Sequence, residues 1–393
     1  MSITIRNASQ VVRPAEDGRP YLRDAALTFE PGAISVRDGA IAAFEDDAGA
    51  DIVIDAAGGA VIPGFVDCHT HLPFAGWRAN EYEMKVTGVP YEEISRSGGG
   101  IASSARALAA SSDDYVLALA RDLRTEMLRL GSTTVEGKTG YGLEREQELR
   151  SVRLGRALPL DRVTGLFAHS VPKGSDPASW MDVVDELAKE ADVDALDIFV
   201  ESVAFRNEDL ERLGEIAKRE GVPLRAHVEQ FATHRSVPVA LAANARSVDH
   251  LACLHPDDIG PLSRAECAAV LLPGAEFLGA EHTPPARALA DAGAICVLAT
   301  DFNPGTSPVA SMPVIIGLAV RRYGWSVREA LAAATLNAAW VLDLHESRGS
   351  LEIGKRADLV VLDGPVEHIP YRFGHDPVRA VIAGGEVVWR RPA

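Results

Sequence analysis

Between residues 61 and 349, short apolar runs alternate with amphipathic stretches, and this alternation constrains the fold more than any other feature of the chain. The runs are AVIPGFVDCHTH, STTVEGKTG, VTGLFAHSV, ALDIFVES, VPLRAHVEQ, SVDHLA, AAVLLP and ICVLATD. Helical patterns across YVLALARDLRTEMLRLG and EREQELRSVRLGRAL separate the early ones, with a Gly-rich loop, SRSGGGI, before the first helix. A strand–helix repeat of this kind predicts parallel β/α units. About eight units with polar residues at the strand C-terminal ends fit a (β/α)8 TIM-like barrel, where those ends converge on one face. A doubly wound open sheet fits less well, because no GxGxxG follows an early strand.

The two ends of the chain have a different character. ALTFEPGAISVRDGAIAAFED alternates apolar and polar positions around Asp38-Gly39, a hairpin turn signal, and RADLVVLDG and VRAVIAGGEVVW read as further strands. Residues 1–60 and 350–393 are therefore expected to build one small β-sandwich domain around a barrel at 61–349. A chain of 393 residues with 47% hydrophobic content has the material for both cores. The opening MSITIRNASQVVRP lacks a charged-then-apolar leader pattern, and no apolar run approaches the ~18 residues of a membrane span, so the chain reads as cytoplasmic without a membrane partner. A net charge of −17 argues against a nucleic-acid partner, which calls for a basic face. Cys68, Cys253, Cys267 and Cys296 show no CxxC spacing and sit in apolar runs, predicting buried free thiols. Any metal would then take nitrogen and oxygen ligands.

His69 with His71, then His169, His227, His250 and Asp301, stand at the ends of separate apolar runs. A single histidine there is more often structural, but recurrence on strand after strand points to a site. In His69-Thr70-His71 alternate side chains of an extended segment share a face, so both imidazoles point one way. Imidazole nitrogen suits a divalent metal, and a carboxylate completes such a set.

The run PGFVDCHTH resembles the first-strand motif of the amidohydrolase superfamily, and IGKRADLVVLD resembles its carboxy-terminal segment. FAGWRANEYEMKVTGVPYEEISRSGGGI, TTVEGKTGYGLE, LLPGAEF, ATDFNPGTSP and YRFGHDPVRAV are similar to one family within it, the imidazolonepropionases. These segments span residues 61 to 382, nearly the whole chain.

The resemblance implies a metal held by His69, His71, His227 and Asp301, with zinc preferred and iron the alternative. It implies hydrolysis of the cyclic amide of 4-imidazolone-5-propionate to N-formimino-L-glutamate, a step of histidine degradation. Asp301 and His250 would be catalytic. Arg78, Tyr141, His169, Gln230, Asn303, Gly305 and Thr306 would hold a small anionic substrate. Superfamily barrels often pair, so a homodimer is the implied assembly, with LLPGAEF and FNPGTSP as candidate contacts.

Some positions depart from the family pattern: Glu201-Ser202-Val203 where a Glu-Lys-Gly run is expected, EQFATHRSVP where a Gly-rich stretch is usual, and Trp77 beside Arg78. They leave open a related ring, such as a hydantoin or thio-imidazolone propionate. Gln230 stands where related deaminases carry a proton-shuttling glutamate. Glutamine cannot exchange a proton at neutral pH, which counts against a heterocyclic amine deaminase. The full ligand set counts against a catalytically silent metal-binding barrel. Glu229 is expected to point away from the site if its segment is extended.

Overall fold

The computed structural model describes residues 1–89, 91–279 and 281–392. Its strands are β1 (Ser2–Pro14), β2 (Leu27–Arg37), β3 (Ala40–Ala43), β4 (Ile52–Asp55), β5 (Ala60–Pro63), β6 (Phe65–Asp67), β7 (Ser132–Lys138), β8 (Arg162–Ala168), β9 (Ala195–Val200), β10 (Leu224–Val228), β11 (Ser247–His250), β12 (Ala268–Leu271), β13 (Ile295–Leu298), β14 (Leu359–Leu362), β15 (Val378–Ala383) and β16 (Glu386–Arg390).

Both termini build one mixed sheet in the order β16-β15-β14-β5-β1-β2-β3, with β4 also pairing β1. Its alternating apolar positions enclose a core that includes Ile3, Ile5, Ile34, Ile54, Leu359 and Ile382. Asp38 and Gly39 turn β2 into β3 with φ of 52° and 81°, the left-handed pair that a tight hairpin requires. The run AVIPGFVDCHTH divides between two sheets: β5 joins the terminal sheet, and β6 opens the second. Gly64 makes the crossing where a Cβ would fall 2.1 Å from Thr133 Oγ1, so no larger residue fits between the sheets.

Strands β6 to β13 pair in parallel and in sequence order, and all eight apolar runs contribute a strand. The ends of this sheet meet at a bridge between Thr70 and Phe302, where His71 N–H donates to Phe302 O (2.9 Å) and Asp301 N–H to His69 O (3.0 Å). This is the barrel that the alternation predicts. The helices Asp113–Arg129 and Arg145–Arg156 form as their periodicity predicts. The Gly-rich loop is confined to residues 97–100, because helices Tyr91–Arg96 and Ile101–Ala110 flank it. Leu224, Ala226 and Val228 on β10, and Leu196, Ile198 and Val200 on β9, pack into the large apolar cluster around the barrel. Strand alternation turns the residues between them to the opposite face. All four cysteines are free; three are buried, while Cys253 is only half-buried. No helix among the described residues is long and apolar enough to cross a membrane.

Candidate active site

One end of the barrel carries a cavity lined by His71, Arg78, Tyr141, His169, Phe199, His227, Gln230, His250, Asp301, Asn303 and Thr306, among others. Nearly every residue singled out in the sequence meets there. His69 lies just beneath, fully buried, its ring centroid 4.4 Å from that of His227 and 5.4 Å from that of His71. His69 and His71 follow β6, His169 follows β8, His227 lies in β10, His250 ends β11 and Asp301 follows β13. His250 and Asp301 both take left-handed backbone, with φ of 79° and 53°. Such strain on non-glycine residues costs about 1–2 kcal/mol each and concentrates at functional sites.

His69, His71 and His227 each bring a ring nitrogen within 4.8 Å of one another, and could hold a metal ion. Nε2 of His69 and of His227 is buried without a hydrogen-bond partner. Asp301 Oδ1 stands 3.1 Å from His71 Nε2 and 3.5 Å from His69 Nε2. Buried imidazole nitrogens left without partners beside a buried carboxylate are the kind of donors a divalent cation prefers. His69 Nδ1 hydrogen-bonds Asp249 Oδ2 (2.6 Å), and His227 Nδ1 hydrogen-bonds Asp197 Oδ1 (3.1 Å). Each carboxylate orients its ring so that Nε2 faces inward, an arrangement typical of metal-binding histidines.

Below these rings the barrel interior is charged. Lys138 Nζ donates to Glu136 Oε1 (3.1 Å) and Asp197 Oδ2 (2.8 Å). Arg225 donates to Glu136 Oε1 (2.6 Å), Asp249 Oδ2 (2.9 Å) and Ser247 Oγ (2.9 Å), and Thr164 donates to the same Glu136 oxygen. Burial opposes the charge on Arg225, but Asp249 and Glu136 more than offset it and hold its pKa above the ordinary value. Burial, with Lys138 and the neighbouring rings, keeps His69 well below the usual histidine range. Burial likewise pushes His250 down to about 3, against the pull of Asp301, and depresses His71 and His169. These rings are neutral at physiological pH. Reading the strands only as apolar runs missed this network, although its signal lies in the polar pairs at i, i+2: Glu136/Lys138, Arg225/His227 and Ser247/Asp249.

Arg78 forms the far wall. The Arg78 side chain is 5% exposed, and its Nε and Nη1 have no hydrogen-bond partner; Glu81 Oε2 lies 3.6 Å from Nε. The guanidinium crosses directly over Gly305. Asn303 organises this loop: its Oδ1 accepts from the N–H groups of Gly305 (2.9 Å) and Thr306 (2.7 Å), and its Nδ2 donates to Asp301 O (2.6 Å) and Thr306 Oγ1 (2.8 Å). Its amide is therefore engaged within the loop even though Asn303 lines the cavity.

The two segments that depart from the family pattern contact each other. Glu201 Oε1 accepts from the backbone N–H groups of Gln230 (3.0 Å) and Phe231 (2.8 Å), and its Oε2 pairs with His234 Nε2 (3.0 Å). Glu229 is not extended, with φ of 56°. It stays out of the cavity because its carboxylate accepts from the N–H groups of His234 (3.0 Å) and Ser236 (2.7 Å). Trp77 is half-exposed against Phe74 and Phe302.

Comparison with known proteins agrees with this geometry. Residues 92–389 match the model of the amidohydrolase family. The chain is 46% identical over 343 residues to an imidazolonepropionase of Rubrobacter xylanophilus, covering 84% of this chain and 82% of that one. It is 38% identical to an imidazolonepropionase of Agrobacterium fabrum over 98% of this chain and 95% of the relative. Among solved structures, a triazine hydrolase variant superposes with a TM-score of 0.75 at 18% identity, covering 99% of this chain and 95% of that one. A zinc-bound adenosine deaminase from Xanthomonas campestris gives 0.70 at 19% identity, covering 98% and 92%. These last two likenesses concern the fold. The extent and identity of the sequence matches, together with the barrel and its histidine cluster, place the chain in the imidazolonepropionase family of amidohydrolases.

Proposed function

We propose that this protein hydrolyses the ring amide of 4-imidazolone-5-propionate to N-formimino-L-glutamate, a cytoplasmic step of histidine degradation. The observation that carries the reading is the pairing of two features at one end of the barrel: inward-facing His69, His71 and His227 beside Asp301, and an Arg78 guanidinium with no hydrogen bond at Nε or Nη1. The first matches hydrolysis and the second matches the propionate tail, since guanidinium grips carboxylate through paired hydrogen bonds.

His69, His71, His227 and Asp301 would hold the ion, zinc in preference to iron, which when bound supplies a nucleophile from water at neutral pH. Asp301 takes the proton from the attacking water and delivers it to the ring nitrogen as the C–N bond breaks. His250, neutral because of its burial, donates a hydrogen bond to the carbonyl oxygen as charge develops there. Tyr141, His169 and Gln230 hold the ring, and Asn303, Gly305 and Thr306 shape the loop around the tail. In this reading residues 1–60 and 350–393 are scaffold and 61–349 carry the chemistry. The small anionic cyclic amide is the partner, with neither nucleic acid nor membrane, and the assembly is a homodimer.

The test mixes purified protein of known metal content with fresh 4-imidazolone-5-propionate and follows the ultraviolet band and the product mass. Turnover at ~1–10³ per second to a ring-opened, water-added product supports the proposal. Absence of turnover by protein with a full metal site overturns the substrate and directs attention to hydantoin and thio-imidazolone propionates.

A further inference from the structure

Tyr141 lies within a short turn, residues 139–143, that follows β7 and leads into the helix Arg145–Arg156, and His169, after β8, packs against it. The turn takes left-handed backbone twice: Gly140, with φ of 107°, does so freely, whereas Leu143, a non-glycine residue, is strained at φ of 52°. Glu148, on the first turns of that helix, is fully buried and directs its carboxylate back into the turn. Its Oε2 accepts from Gly140 N–H (3.1 Å), and its Oε1 accepts from Gly142 N–H (2.7 Å) and Leu143 N–H (3.0 Å). One carboxylate thus grips the backbone on both sides of Tyr141.

The same turn fixes His169. Its Nδ1 lies 3.0 Å from Gly140 O, and a carbonyl can only accept, so Nδ1 carries the proton. The Tyr141 and His169 ring centroids are 5.4 Å apart, and both lie within 6 Å of the His71 ring. Position and tautomer on this wall therefore both depend on where Gly140 is held.

We propose that Glu148 is a positioning residue for substrate. By clamping Gly140, Gly142 and Leu143 it sets the Tyr141 side chain and the His169 ring against the substrate. This rests on the reading that Tyr141 and His169 touch the substrate. Glutamine at 148 keeps the shape but turns an NH2 group toward backbone donors, leaving at least one N–H without an acceptor.

The experiment compares Glu148→Gln, the milder Glu148→Asp, and both Tyr141→Phe and His169→Asn. It measures KM and kcat with 4-imidazolone-5-propionate, the Kd of imidazole-4-propionate as a non-hydrolysable probe, metal content and Tm. Expected for Glu148→Gln is a ~10-fold rise in KM and in probe Kd, with kcat within about threefold and metal content unchanged, one lost hydrogen bond being worth ~1–1.5 kcal/mol. In a Tyr141→Phe/His169→Asn background the same substitution should add less than about twofold, because the groups it positions are gone. A lower Tm with KM and probe Kd unchanged in both Glu148 variants assigns the residue to stability alone and overturns the proposal. If Tyr141→Phe and His169→Asn themselves leave KM and probe Kd unchanged, the reading of that wall fails first, and the proposal falls with it.

Discussion

Gly305→Ala separates binding from folding. Gly305 is absent from the residues of positive φ, so its backbone accepts a side chain. The obstacle is Arg78: a Cβ at Gly305 falls 1.7 Å from Nη2, 2.0 Å from Nε and 2.1 Å from Cζ. Ordinary contact begins near ~3.5 Å, so the guanidinium must retreat by about 1.5 Å or more. It is the far end of a flexible side chain held by the 3.6 Å ion pair with Glu81 and by no hydrogen bond at Nε or Nη1, so the retreat costs the fold little. A hydrogen bond placed at ~2.9 Å does not survive a displacement of that size. Losing one or two charge-assisted bonds to the substrate carboxylate costs ~2–3 kcal/mol, or about 30- to 150-fold in kcat/KM. The assay is steady-state hydrolysis of 4-imidazolone-5-propionate beside the ring without its propionate tail, with Tm measured in parallel. Expected is the full loss on the first substrate, little change on the second, and Tm within about 1 °C. A kcat/KM on the anionic substrate within threefold of the parent would refute the placement of the carboxylate on Arg78.

Asp301→Asn should lower kcat by ~10²–10⁴-fold, the range for loss of a general acid–base, with Tm near the parent value; near-normal turnover would remove Asp301 from proton transfer. Asp249→Asn deprives His69 Nδ1 and Arg225 of a shared anionic acceptor, so chelator competition should show metal binding ~10- to 100-fold weaker; unchanged affinity would mean that His69 is not a ligand held in this way. Glu276 is a stability sensor away from the ligands: Tyr323 O–H donates to its Oε1 (2.5 Å), Arg322 favours its charge, and Lys85 lines the same cavity. Burial pushes its carboxyl from 4.5 up to about 7. Its folded-state pKa exceeds the unfolded one, so the penalty is full above pH ~7, shrinks as pH falls, and is gone below ~4.5. A rise from 4.5 to about 7 corresponds to ~3 kcal/mol, and at ~0.8 kcal/mol per degree for a chain of this length Glu276→Gln should raise Tm by ~4 °C at pH 8 and not at pH 4.5. Equal shifts at both pH values would show that the carboxyl is not held protonated.

The sequence by itself determined the periodic features. Apolar runs separated by amphipathic helices dictate parallel units whatever their neighbours are, and His69-x-His71 declares a shared face because strand alternation is local. Asp38-Gly39 likewise specifies its turn through φ alone. Tertiary structure decided what depends on residues distant in the chain. That β5 and β6 belong to different sheets follows from pairing with β14 on one side and β7 on the other. The charged barrel interior required Glu136, Lys138, Asp197, Arg225 and Asp249 to converge from four strands; in one dimension the i, i+2 pairs mark a shared face but not which strands meet across the barrel. Asn303 looked like a ligand-facing amide until its loop closed on it, and nothing in the helical pattern EREQELRSVRLGRAL sets Glu148 apart from its other charged residues. A side chain's chemistry is written at its own position, but whether its hydrogen bonds go to a ligand or to the backbone is settled only when the fold supplies the neighbours.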